Sequence, residues 1–140
     1  MAHTRLERAR RLLALDRPTC FVIPESALQR AVGGLATLAE QLEHLLDLAA
    51  RFESMRIQVL PSSSPVASSI PLYLLESSPG KMVAWIDMRS RSALVTGPDD
   101  TAELRVLFER LEGAALDPAA SLELIDRKRR EACTAIETNL

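Results

Sequence analysis

Apolar residues recur at helical spacing through the first third of the chain. Leu6, Ala9, Leu12 and Leu13 share one side of a helix predicted over residues 4–15, with Arg5, Arg8 and Arg11 on another side. Pro18 ends it. Residues 20–23 are an unbroken run of β-formers and predict a buried strand. Pro24 and Glu25 open a short helix, where a carboxylate meets the positive helix end, and Gly33 with Gly34 closes it as a C-cap. Over residues 35–52, Leu38, Leu42, Leu45, Ala49 and Phe52 form a core stripe; Glu40, His44, Asp47 and Arg51 mark the wet side. Residues 56–60 alternate as a strand, with Ile57 and Val59 pointing one way.

The pattern breaks at PSSSPVASSIP, residues 61–71, which reads as a loop. Strands are predicted over 70–76, 81–87 and 91–96. Ser78, Pro79 and Gly80 supply a turn, and the hairpin spacing makes this half an antiparallel meander. Asp100 with Glu103 resembles a capping box ahead of a stripe of Leu104, Leu107, Phe108 and Leu111. Asp117 and Pro118 start a last helix as N-cap and N1, with Leu122, Ile125, Arg129, Cys133 and Ile136 inward. The expected fold is α+β: one domain over residues 1–140, a mostly antiparallel sheet of four to five strands, and helices mainly on one face.

Composition narrows the function. A chain of 140 residues that is 47% hydrophobic can bury a core without metal or disulfide support. The net charge of −2 argues against direct nucleic-acid binding, which needs a basic field. No apolar run approaches membrane-spanning length. Cys20 and Cys133 read as small buried hydrophobes of a reducing, cytoplasmic setting, the alternative being a disulfide between the chain ends. No metal and no cofactor is expected.

The candidate chemistry is sparse. Alternation puts Val83, Trp85 and Asp87 on one sheet face and Met82, Ala84, Ile86 and Met88 on the other, so both faces are largely apolar. Tyr73, on the preceding strand, can join Trp85. An aromatic pair beside a carboxylate suits a ligand pocket; the plainer reading is core aromatics and a strand-ending Asp87. Arg89 and Arg91 flank a turn near Asp87 and suit a carboxylate ligand, or are simply exposed turn residues. His44 has Glu40 four residues before it but no second imidazole or thiol in range, and reads as part of a solvated helix face. The basic run from Arg127 to Arg130 is diluted by Glu123, Asp126 and Glu131. Ser62, Ser63, Ser64, Ser68 and Ser69 lie in no nucleophile elbow.

Several separated segments carry a family resemblance. Glu25, Ala27, Leu28, Arg30, Val32, Gly33 and Gly34 form an acidic residue followed by an A-L-x-R-x-V-G-G run. Glu40 to Ala49 spell E-Q-L-E-H-L-L-D-L-A, and Ile57 to Pro61 spell I-Q-V-L-P. Phe108, Arg110, Leu111, Ala114 to Leu116, Pro118 and Ser121 complete the series. In order and spacing these resemble the antitoxin-like C-terminal domain of actinobacterial Xre-family helix-turn-helix regulators. The resemblance implies a chain that starts part-way into that domain and carries no helix-turn-helix. It also implies a changed segment after V-L-P, where a glycine-rich stretch gives way to SSSPVASSIPLY, and no catalytic residue to carry over.

Two functions follow as expectations. The first is a regulator-derived binding module that has lost its DNA reader and binds a small apolar ligand or a partner protein through Tyr73, Trp85, Asp87, Arg89 and Arg91. The second is a stand-alone cyclase or isomerase of polyketide-like secondary metabolism, with Asp87 as its catalytic acid/base in a dry pocket. Either way the apolar strands need a cover, and a homo-oligomer is expected: a dimer in which the N-terminal helix takes part.

Overall fold

The computed structural model describes residues 2–15, 17–66 and 71–140. Ser68, Ser69 and Ile70 of the expected loop and strand lie outside the described residues, as do the side chains of Arg5 and Leu12. The chain divides into two compact units. One holds residues 1–62 with 116–140, and the other holds residues 63–115.

The first unit is a βαβ crossover backed by the last helix. Helix α1 (Ala2–Ala14) leads to β1 (Thr19–Pro24) and a 3-10 turn (Glu25–Leu28); α2 (Leu35–Arg51), β2 (Met55–Leu60) and the terminal helix of this unit, Pro118–Thr138, follow. β1 and β2 pair in parallel from Thr19 opposite Met55 to Pro24 opposite Leu60. The core gathers Leu28, Leu38, Leu42, Ile57, Val59, Leu124, Ile125 and Ala132, with Val59 and Ile125 fully buried. The α2 stripe and its wet face fall where the leucine periodicity puts them: Leu38 and Leu42 are buried, whereas Glu40, His44 and Asp47 are exposed.

The second unit is a meander capped by a helix. β3 (Leu72–Ser78), β4 (Lys81–Met88) and β5 (Arg91–Val95) form an antiparallel sheet in that order. A register shift lies between Glu76 and Ser78, and Gly80 takes φ 81° in the β3–β4 turn, a conformation that needs glycine. Helix α3 (Pro98–Ala114) covers the side of Ala84, which is fully buried, and Arg105 reaches Glu76 at 3.7 Å. We number the terminal helix α4.

Three expectations need correction. The strands do not form one mostly antiparallel sheet of four to five members; they form a two-stranded parallel sheet and a three-stranded antiparallel one. The helical connection between β1 and β2 brings the second strand back in the same direction, which a hairpin cannot do. The segment after Pro24 makes only a 3-10 turn, and Gly34, at φ 102°, is the N-cap of α2 rather than the C-cap of a preceding helix. Helix α3 starts at Pro98 with Gly97 as N-cap, so Asp100 sits inside its first turn, and the Thr101 hydroxyl donates back to the Gly97 and Pro98 carbonyls. A proline already placed at N1 decides the start.

The α4 start matches its sequence signal. Asp117 accepts from the Ala120 N–H at 2.8 Å, and Pro118 follows at N1. Asp117→Ala is expected to cost about 1 kcal/mol in urea unfolding, because one orphan helix donor loses its acceptor. The inner face of α4 is rotated from expectation: Ser121, Leu124, Ile125 and Ala132 are buried, while Leu122, Arg129, Cys133 and Ile136 are half-buried.

Candidate functional site

The cross-strand register builds one continuous row. Tyr73 pairs with Trp85, and Trp85 pairs with Leu94. Directly paired residues share a face, and Leu75 opposite Val83 and Ser92 opposite Asp87 extend it on either side. This face is open: Tyr73, Leu75 and Leu94 are each 59% exposed and Trp85 43%. The opposite face, with Leu74, Ala84 and Ile86, is the one α3 covers. A sheet that presents two aromatics and two leucines to water is an unusual surface, since scattered single apolar residues are ordinary and a contiguous group is not.

Of the sequence candidates, Tyr73, Trp85 and Asp87 come together on this face. The Ser92 hydroxyl donates to the Asp87 carboxylate at 3.3 Å. Arg89 lies in the exposed β4–β5 turn, and Arg91 pairs with Met88, which puts it on the other face of the sheet. His44 is exposed on α2. Among the described residues no group of His, Cys, Asp and Glu is placed to hold a metal ion. Of the described loop serines, Ser64 builds a turn: its hydroxyl donates to the Val66 carbonyl and accepts from the Val66 N–H.

The basic run of α4 is matched along its own helix. Asp126 binds Arg129 at 2.8 Å and Arg130 at 3.2 Å, and Glu131 meets Lys128 at 3.4 Å and Arg127 at 3.9 Å. The hydrogen bond from Arg129 holds the Asp126 carboxyl below its usual value of 3.8, against a smaller opposing effect of desolvation and with further help from both guanidinium charges. A folded-state pKa below the unfolded one stabilises the fold above the unfolded value and loses that contribution as pH falls through the folded value. Asp126→Asn is therefore expected to be less stable than the parent at neutral pH, with the difference closing below pH 3.8, as thermal melts across that range would show.

Sequence reasoning missed a second feature. A cleft of about 600 Å³ lies where β1 and β2 end, lined among others by Glu25, Pro61, Leu116, Glu123, Asp126 and Arg130. Glu25 accepts there from the Ser62 N–H at 2.9 Å. The prolines that end both strands were its visible signal, but only the parallel pairing brings those ends side by side. Neither this cleft nor a shallower one along the C-terminal half of α4 is lined by any residue of β3, β4 or β5.

The profile of a domain of unknown function, DUF5753, covers residues 1–127. No curated protein matches, and no solved structure does. Among the described residues no helix is long and apolar enough to cross a membrane.

Proposed function

The chain belongs to the DUF5753 family, and from that premise we propose that it is a protein-interaction module of regulator type, which binds an apolar partner surface on the open face of β3–β5. The observation that carries this is the exposed row of Tyr73, Trp85 and Leu94 in cross-strand register. Burying apolar surface is the main driving force for association. Aromatic side chains supply it at low entropic cost, with few torsions to freeze. The resemblance of the scaffold segments to the antitoxin-like domain of Xre-family regulators supports the regulator type.

The shape of the site favours a broad partner over a small molecule. Small-ligand sites are concave and surround most of the ligand, whereas this row lies on an open pleated surface. A cyclase or isomerase at Asp87 needs water excluded from the reacting group, and the neighbours of Asp87 on this face stand in solvent. Arg89 at the rim is suited to a supporting contact with an acidic partner residue.

The test uses a dilute protein and an anionic naphthalene dye that fluoresces on apolar surface. The double variant Tyr73→Ser/Leu94→Ser is expected to lose several-fold of the dye signal with its circular dichroism unchanged, since neither residue is buried. A double variant that binds the dye as the parent does would overturn the assignment of the face.

A further inference from the structure

We infer that the partner of the β3–β5 face is a second copy of the chain, packed face to face with its β4 strand antiparallel to the first. This rests on the interaction reading above and goes on to name the occupant.

The charges at the two ends of β4 select this occupant. Alternation turns Lys81, Val83, Trp85 and Asp87 to the open face, so one strand carries a cation at its start, a carboxylate at its end and two apolar residues between. Lys81 is exposed and, among the described residues, has no ion-pair partner; Asp87 has the Ser92 hydroxyl. A two-fold axis in the contact plane and perpendicular to β4 lays Lys81 of each copy over Asp87 of the other. The same rotation sets Val83 over Trp85 and Tyr73 over Leu75, aromatic against aliphatic in both pairs. The other in-plane two-fold, parallel to the strands, stacks lysine on lysine and aspartate on aspartate. Like charges brought together oppose that arrangement, so the pattern selects the antiparallel one. A symmetric contact requires a surface complementary to itself, and β4 has that property about its midpoint.

Area sets the strength. The four exposed side chains hide on the order of 400 Å² per copy, about half of the ~800 Å² per partner of a standard interface. The dimer is accordingly weak and concentration-dependent. Sheets packed in this way stand about 10 Å apart, a gap that a lysine side chain crosses when it reaches toward a carboxylate.

Sedimentation velocity over a wide concentration range, on the full chain and three variants, tests this. The parent is expected to shift from monomer to dimer as concentration rises. Lys81→Glu and Asp87→Lys are each expected to weaken the dimer tenfold or more, and the double variant Lys81→Glu/Asp87→Lys to restore it to near the parental level. Restoration excludes misfolding as the cause of the single losses. A parent that stays monomeric throughout, or single reversals without effect, would overturn self-pairing. If the parent stays monomeric while dye binding still depends on Tyr73 and Leu94, the interaction reading stands with another partner. If dye binding is also indifferent to those residues, both readings fall.

Discussion

Ile125→Ala is expected to lower the unfolding free energy by about 2–5 kcal/mol, the usual cost of emptying a fully packed aliphatic site. Ile125 has no exposed surface and sits in the cluster that holds Leu38, Leu42, Ile57 and Val59. It is where α4 meets the crossover formed by β1, α2 and β2. Truncation leaves a cavity between α4 and the residues of α2 and β2 that share this cluster. Urea unfolding followed by far-ultraviolet circular dichroism measures the loss. A change below about 0.5 kcal/mol, the scale of an ordinary surface substitution, would place α4 off the crossover and refute the packing described.

Ser121→Ala is the second large effect, and it comes from backbone rather than volume. Ser121 has no exposed surface; its hydroxyl accepts from the Val59 N–H at 2.9 Å and donates to the Leu116 carbonyl at 3.2 Å. The Val59 carbonyl accepts in turn from the Leu116 N–H at 2.9 Å. The edge of β2 away from β1 is thus closed by a turn and a single hydroxyl instead of a third strand. Gln58, also buried, adds a bond from its side-chain amide to Leu116 O at 2.9 Å. Removing the Ser121 hydroxyl leaves the buried Val59 N–H without an acceptor, at a cost of about 1–3 kcal/mol. Ser121→Thr keeps the donor and acceptor and is expected to retain part of the stability. If alanine were tolerated at no cost, the edge would be satisfied in another way.

How far the sequence shows this structure depends on whether the signal is local. Helix α4 is legible because Asp117 and Pro118 act within one turn of its start, and the meander is legible because Ser78, Pro79 and Gly80 bend the chain within three residues. The pairing of β1 with β2 is not legible. Nothing within TCFVIP or MRIQVL says that the two strands lie side by side and parallel; the helix between them decides it. The same gap hides the closed edge of β2, since Ser121 looks like an ordinary first-turn serine until Val59 is beside it. At the candidate site the alternation of β4 fixes which residues share the face of Trp85. The position of Arg91 on the other face follows only from its pairing with Met88. The need for a cover on this face is legible, because strands apolar on both sides exceed what one covering helix can bury.

The face of Tyr73, Trp85 and Leu94 carries the functional reading, and Trp85 reports on it directly because it is the only tryptophan in the chain. The most direct measurement is acrylamide quenching of its fluorescence as a function of protein concentration. An open face that pairs with a second copy requires an indole that is readily quenched in dilute solution and becomes shielded as the concentration rises. An indole already shielded in the dilute monomer, at every concentration alike, would contradict it.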